Sequence, residues 1–229
     1  MALNFTTTNV DAQLNGIKVL VYGPAGMGKT VLSSTAPAPI ILSAESGNLS
    51  LRGFAIPMIK IATVQDLTEA HQWLLNSAEA KQFQTVCLDS ISEVAEVVLN
   101  NAKRQTKDPR QAYGELLEKM ETLIRAFRDL PGKNVYMAAK MEPSKDELTG
   151  IVKYGPSMPG SKLGSKLPYY FDEVFRLGVN KTPSGEQYRF LQTQPDLQYE
   201  AKDRSGALAQ MEPPNLTQIF QKIMSGSPA

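Results

Sequence analysis

Gly23, Pro24, Ala25, Gly26, Met27, Gly28, Lys29 and Thr30 read GPAGMGKT, which matches the pattern GxxxxGK[ST] at every fixed position. The octet follows a short apolar run at 17–22 and precedes a helical pattern at 29–34. This order constrains the fold more than any bulk property does. A strand, a glycine-rich bend and a helix must follow one another if successive backbone N–H groups are to turn inward on a phosphate chain, with the helix start adding partial positive charge. Lys29 is then expected to reach the β and γ phosphates, and Thr30 to offer its hydroxyl to Mg²⁺, a hard cation that takes oxygen ligands. Val31 completes the set of residues expected to hold the nucleotide. The octet implies a triphosphate but does not choose its base. No NKxD-like guanine reader follows the later apolar runs, so ATP is the expected ligand.

Further apolar runs at 39–42, 56–61, 85–88 and 135–139 read as buried strands. Helical patterns at 64–80, 91–105 and 112–130 separate them. In the last of these, Leu116, Leu117, Met120, Leu123, Ile124 and Phe127 form a stripe at steps of three and four. Strands alternating with helices predict a three-layer α/β fold with a mostly parallel sheet covered on both faces. Residues 142–170 are rich in Gly, Pro, Ser and Lys without apolar periodicity and read as a long loop, a feature that in a compact domain is functional or disordered. Strands are expected again at 172–179, 188–193 and 198–201, antiparallel toward the C-terminus, with a short helix at 215–224 and a frayed tail.

With 229 residues, 42% of them hydrophobic, one sizeable core is expected rather than two. The predicted organisation is a single domain with its core at about 15–205, preceded by a polar segment, 1–14, and followed by a helix and tail, 206–229. The balance of 24 Lys+Arg against 23 Asp+Glu provides no global basic field, so any polyanion site must be local. No stretch approaches the roughly 18 apolar residues of a membrane span, and the chain is expected to be soluble and cytoplasmic, with no membrane partner. Cys87, the lone cysteine, lies in the apolar run TVCL and reads as a small buried hydrophobe, and the lone histidine, His71, as part of a solvated helix face.

The run TVCLDS ends in Asp89, at the carboxyl end of a predicted strand, where a side chain faces the crevice that binds ligands. Asp89 is therefore expected to join Thr30 in the metal shell, although a helix N-cap is its competing role; Ser90 suits that cap better. Hydrolysis also needs a group to orient or deprotonate water, and the position after Asp89, where many ATPases carry a glutamate, is serine. Glu45, at the end of the run PIILSA and fifteen residues beyond Thr30, is the candidate base. Glu93, four residues after Asp89, is its competitor.

GPAGMGKT, SAESG, TVCLDS and YEAKDRSG together resemble the RecA-like ATPases, and most closely the short phage ATP-binding proteins that include RecA-core single-strand annealing proteins. The resemblance spans about residues 15–220. It implies a RecA-like sheet, ATP hydrolysis with Mg²⁺, and a catalytic glutamate after the second strand, where Glu45 falls. It also implies self-association into a ring or filament, with Lys202 and Arg204 inserted into the neighbouring subunit's nucleotide site to offset charge on the transferred phosphoryl group. A solvated, charge-protected sheet edge is the other reading of that pair. Lys140 falls where the class keeps a polar phosphate sensor, and departs from the residue types usual there. In such proteins mobile loops line a central channel, which gives the 142–170 segment a role in contacting single-stranded DNA.

Lys153, Lys162 and Lys166, with Tyr154, supply cations and an aromatic platform for a single strand, and Lys140 can contribute another phosphate contact. Glu142, Asp146 and Glu147 oppose binding, and Tyr169 and Tyr170 read equally well as the start of a strand. Two functional classes are open: an ATPase that binds single-stranded DNA in phage-type recombination or annealing, and a nucleotide-switched assembly ATPase without nucleic acid. A small-molecule kinase fits less well, because Arg104, Arg110, Arg125 and Arg128 form no compact lid motif.

Overall fold

Alternation along β1 (Lys18–Tyr22) divides the core in two. Leu20 and Tyr22 face one apolar cluster, and Val19 and Val21 face the other. A computed structural model of the chain describes residues 7, 15–45, 49–145, 150–160 and 162–226. Nearly all of the polar segment 1–14, Ser46 and Gly47 beyond Glu45, the acids Asp146 and Glu147, and residues 227–229 of the tail lie outside the described residues.

β1, β2 (Pro39–Ser43), β3 (Met58–Lys60), β4 (Thr85–Asp89), the first half of β5 (Asn134–Lys145) and β7 (Glu173–Lys181) run parallel. β6 (Val152–Ser157), β8 (Gln187–Gln192), β9 (Lys202–Asp203) and β10 (Met211–Glu212) are antiparallel to their neighbours. The sheet order is β10-β8-β7-β1-β5-β4-β2-β3, with β6 on the outer half of β5 and β9 on β7. One face carries α2 (Val64–Asn76), α3 (Ile91–Gln105) and α4 (Pro109–Arg128), and the other carries α1 (Lys29–Ser33) and α6 (Leu216–Ser225). This is the three-layer, mostly parallel fold that the alternation of patterns predicts, antiparallel toward the C-terminus.

Local chemistry starts the long helices. Thr63 and Asp66 form a reciprocal capping box on α2, Ser90 accepts from Glu93 N at the head of α3, and Asp108 accepts from Arg110 N ahead of Pro109 on α4. The α4 stripe packs Leu116, Met120, Ile124 and Phe127 into the core, and burying a side chain such as Phe127 contributes ~1.5–3 kcal/mol. The helix expected at 64–80 ends at Asn76, because Ser77 turns to extended geometry and its hydroxyl accepts from Glu79 N to start a separate 3₁₀ turn. His71 is half-buried rather than on a solvated face: its Nε2 lies 3.1 Å from Ala126 O and its ring meets the Phe127 ring edge-on. Cys87 is buried, as its apolar run suggests.

The segment expected to be a loop is instead largely ordered. β5 continues to Lys145 and pairs with β6 in a hairpin, followed by α5 (Leu163–Lys166) and a 3₁₀ turn at Leu167–Tyr170. Backbone bonds build this ribbon, and an exposed ribbon needs no apolar period. Pro143 is tolerated because it stands opposite Tyr154, whose N–H bonds Gln198 O and whose carbonyl accepts from Glu200 N. The strand expected at 198–201 is correspondingly reduced to a single bridge between Tyr154 and Tyr199, and the strand proper is Lys202–Asp203. Tyr169 is exposed, whereas Tyr170 is half-buried under Arg125.

At the foot of β7, Glu173 is buried beside Asp203, its Oε1 accepts from Ser205 N, and its Oε2 has no hydrogen-bond partner among the described residues. Burial, together with the Asp203 charge, pushes the Glu173 carboxyl up to about 8. The folded state therefore holds a proton that the unfolded chain releases near pH 4.3, so stability falls as pH rises from about 4.3 to about 8. Glu173→Gln supplies the neutral form permanently. At pH 8 it is expected to raise stability by ~1–2 kcal/mol, roughly 2–8 °C in melting temperature, and the gain should shrink toward pH 5. Thermal melts at the two pH values check this, and a lower melting temperature at pH 8 would count against a protonated Glu173.

Candidate functional site

The cleft opens at the carboxyl ends of the parallel strands, where β5 separates the phosphate-loop strand β1 from the Asp89 strand β4. It has a volume of about 1040 Å³ and is lined by the whole GPAGMGKT loop, with Val31, Glu45, Asp89, Glu93, Lys140 and Arg189 among its walls. The two-residue period of a strand explains why these side chains converge. Ile41, Cys87, Tyr136 and Leu191 all face the α1 side of the sheet. Two-residue steps from them reach Ser43 then Glu45, Asp89, Ala138 then Lys140, and Arg189. Register aligns Ser43, Asp89 and Ala138 across three neighbouring strands, so Glu45 and Lys140 extend beyond the sheet on either side of Asp89.

Gly26 and Gly28 have φ of 76° and 97°, the left-handed region that favours glycine, so the chain bends here without strain. Gly23 is needed for contact: a Cβ there would lie 2.8 Å from Leu177 O. Tyr136 holds the head of α1 from below, its hydroxyl donating to Lys29 O at 2.8 Å. α1 is only five residues long, so the amides of the loop, more than a helix dipole, would have to provide the positive end of the site.

Lys29 Nζ donates to Gly23 O at 2.7 Å and Pro24 O at 2.9 Å. Burial holds the Lys29 ammonium below its ordinary pKa, while the Asp89 and Glu45 charges oppose that shift. Asp89 is buried, and desolvation pushes its carboxyl up to about 6 against the Thr30 hydroxyl that donates to it, with Glu45 adding to the rise and Lys29 resisting it. A desolvated carboxylate touching a threonine hydroxyl, with a second carboxylate nearby, is an oxygen donor set suited to Mg²⁺. Among the described residues no cluster of three acidic, histidine or cysteine groups that could hold a metal ion is found. Ser90, not Asp89, caps α3, which leaves the Asp89 oxygens for the cleft.

The two candidate bases differ in what holds them. Glu93 is ion-paired with Lys140, whereas Glu45 has no side-chain partner among the described residues. Lys140 thus sits in the nucleotide cleft and not on the outer hairpin. Lys153 and Lys162 are exposed without ion-pair partners among the described residues, Lys166 is paired with Glu121 at 2.6 Å, and Tyr154 is stacked on Tyr199 at 5.3 Å. Glu142 accepts from Ser157 Oγ at 2.9 Å across the hairpin.

Lys202 and Arg204 lie far from the cleft of their own chain, beside the start of β7, where Asp172 N bonds Lys18 O. Lys202 Nζ donates to Pro168 O and Phe171 O at 2.9 and 2.5 Å, and Arg204 pairs with Asp172 at 2.8 Å. β9 ends at Asp203, so the two cations do not share a strand face. Sequence reasoning missed Arg189 and Tyr136. The periodicity of 188–193 gives Arg189 its face, but only the hairpin register brings it over the loop.

A family model described as an AAA domain, AAA_24, matches residues 15–205. No curated protein matches the chain. Among solved structures, a RadB recombinase is similar over 90% of this chain and 96% of its own, with 16% identity and a TM-score of 0.48. A KaiC-like protein from the hyperthermophilic archaeon Pyrococcus horikoshii OT3 is similar over 79% of this chain and 82% of its own, with 14% identity and a TM-score of 0.42. Among the described residues no helix is long and apolar enough to cross a membrane.

Proposed function

The chain belongs to the AAA_24 family of AAA domains, a P-loop nucleotide-binding class, and on that premise we propose that it is an ATPase that binds single-stranded DNA in recombination or annealing. The loop amides and Lys29 bind the phosphate chain, and Lys29 neutralises charge at the β and γ phosphates. Thr30 and Asp89 would hold Mg²⁺, which would supply Lewis-acid stabilisation of phosphoryl charge. Glu45 orients the attacking water and accepts its proton, and the ion pair that holds Glu93 to Lys140 favours Glu45 over it. Lys140 stands at the same end of the cleft and can follow the state of the terminal phosphate.

The observation that carries the DNA reading is the way the β5–β6 hairpin is rooted. Lys140 at its base is in the nucleotide cleft, and the Tyr22 hydroxyl, on the residue before the phosphate loop, donates to Tyr154 O at 3.1 Å and Glu200 O at 2.6 Å. A strand lying on the hairpin at Lys153 and passing on to Lys162 at the head of α5 would press on the same backbone that leads into the loop. Stimulation by single strands is therefore expected.

The engagement of Tyr154, Lys166, Lys202 and Arg204 within their own chain favours a second reading, a nucleotide-switched assembly ATPase that releases some of these groups to a neighbouring copy. One titration separates the two. ATP turnover measured against single-stranded DNA is expected to rise several-fold, with an affinity that falls steeply between about 50 and 200 mM salt. Turnover flat across the titration, with sedimentation showing assembly driven by a non-hydrolysed ATP analogue, would replace the DNA reading with the assembly one.

A further inference from the structure

The β7–β8 hairpin leans on the phosphate loop from the side away from Asp89. Leu177, whose carbonyl crowds Gly23, is two residues before Val179, and Val179 is paired with Arg189 across the hairpin. Leu191, on the same face as Arg189, is buried with Leu32 of α1 and with Leu177, which fixes the strand's height and direction beside the loop. The Arg189 side chain extends over the loop: a Cβ built on Gly28 would lie 3.7 Å from Arg189 Nε and 4.0 Å from Cδ. The φ of 97° at Gly28 favours glycine, and no side chain stands between this backbone and the guanidinium stem.

The other two cations of the cleft are engaged. Lys29 is bonded to Gly23 O and Pro24 O, and Lys140 is paired with Glu93. Arg189 is exposed and has no hydrogen bond or ion pair among the described residues, which leaves five N–H donors at the rim of a phosphate-binding cleft. Its position also has a direction. Asp89, Glu45, Glu93 and Lys140 come from the β2, β4 and β5 side, where Thr30 touches Asp89 and the metal and terminal phosphates belong. Arg189 comes from the β8 side, across β1.

We infer that Arg189 is a nucleotide-affinity residue whose guanidinium takes the phosphate oxygens nearest the nucleoside, a group common to ATP and ADP. The inference rests on the nucleotide-binding reading of this cleft and adds a contact outside the GPAGMGKT octet. An interaction present before and after cleavage of the terminal phosphate holds ground and transition states alike, so its removal appears in KM rather than kcat. A guanidinium is suited to this role because its planar fork meets phosphate oxygens in pairs, which lysine does only as a point charge.

Calorimetry of Mg²⁺ with ATP and with ADP, on wild type, Arg189→Ala and Arg189→Lys, tests it. Arg189→Ala is expected to weaken both nucleotides by about ten-fold or more and by similar factors, Arg189→Lys to recover part of that loss, and the fall in kcat/KM to be carried by KM. An unchanged melting temperature would show that the loss does not come from unfolding, since Arg189 is exposed. Equal affinities for wild type and Arg189→Ala would overturn the inference. So would a loss confined to ATP together with a fall in kcat, which would put the guanidinium on the terminal phosphate. Should wild type bind neither nucleotide, the nucleotide reading itself fails, a result distinct from a wild type that binds and an Arg189→Ala variant that binds equally well.

Discussion

Glu45→Gln is expected to bind ATP within about three-fold of wild type while hydrolysing it ~10²–10⁴-fold more slowly, as measured by calorimetry and phosphate release under single-turnover conditions. Glutamine keeps the size and hydrogen-bonding reach of the side chain but cannot accept the proton of the attacking water. The effect should be this large because the alternative base is restrained. Glu93 is ion-paired with Lys140, and freeing it would leave that lysine unpaired beside Lys29, whose charge already feels it. Glu45 follows β2 on the α1 face, and its charge is felt by both Lys29 and Asp89, so it stands where the phosphate chain and the metal are expected. Turnover that survives the substitution intact would transfer the role to Glu93 or another group, and Glu93→Gln would then be the informative variant.

Lys29→Ala is expected to cost ~10²–10³-fold in turnover and to weaken ATP more than ADP, because the ammonium is the charge nearest the β and γ phosphates. In the structure Lys29 is already desolvated and bonded to the carbonyls of Gly23 and Pro24, so it is held at the loop before nucleotide arrives. Exchanging two carbonyls for phosphate oxygens requires little reorganisation, which is the physical basis of a strong contact. The same geometry predicts a measurable effect on folding. Gly23 is buried and Pro24 half-buried, so the variant leaves the Gly23 carbonyl without its donor, and stability should fall by about 1–3 kcal/mol. Circular dichroism melts alongside the kinetics separate lost binding from lost structure, and a variant that retains wild-type turnover would remove the octet from the mechanism.

How far the sequence could be read varies with the element. The parallel core was legible because burial on both faces gives continuous apolar runs such as IKVLVY and TVCLD, and α4 because its stripe repeats at helical steps. Ser90 was legible as a cap because capping is a contact between residues three apart. The β5–β6 hairpin was not, since its residues alternate between two largely exposed sides and leave no apolar period. His71 was misread for a related reason: the half-buried environment it occupies is created by Ala126 and Phe127, fifty-five residues and more away.

The same division holds for the candidate site. The sequence by itself determined the phosphate loop, the strand before it and the acid at the end of TVCLD, because each is a contiguous pattern whose geometry follows from neighbouring residues. The distant groups that share the cleft were set by tertiary structure: the register aligning Ser43, Asp89 and Ala138 brings Glu45 and Lys140 to the Asp89 end, and the β7–β8 hairpin carries Arg189 over Gly28. Tertiary structure also put Lys202 and Arg204 beside the amino-terminal end of β7, away from the carboxyl-end cleft. Register is set by the sum of many backbone bonds and buried contacts spread along the chain, so no short stretch of residues contains it.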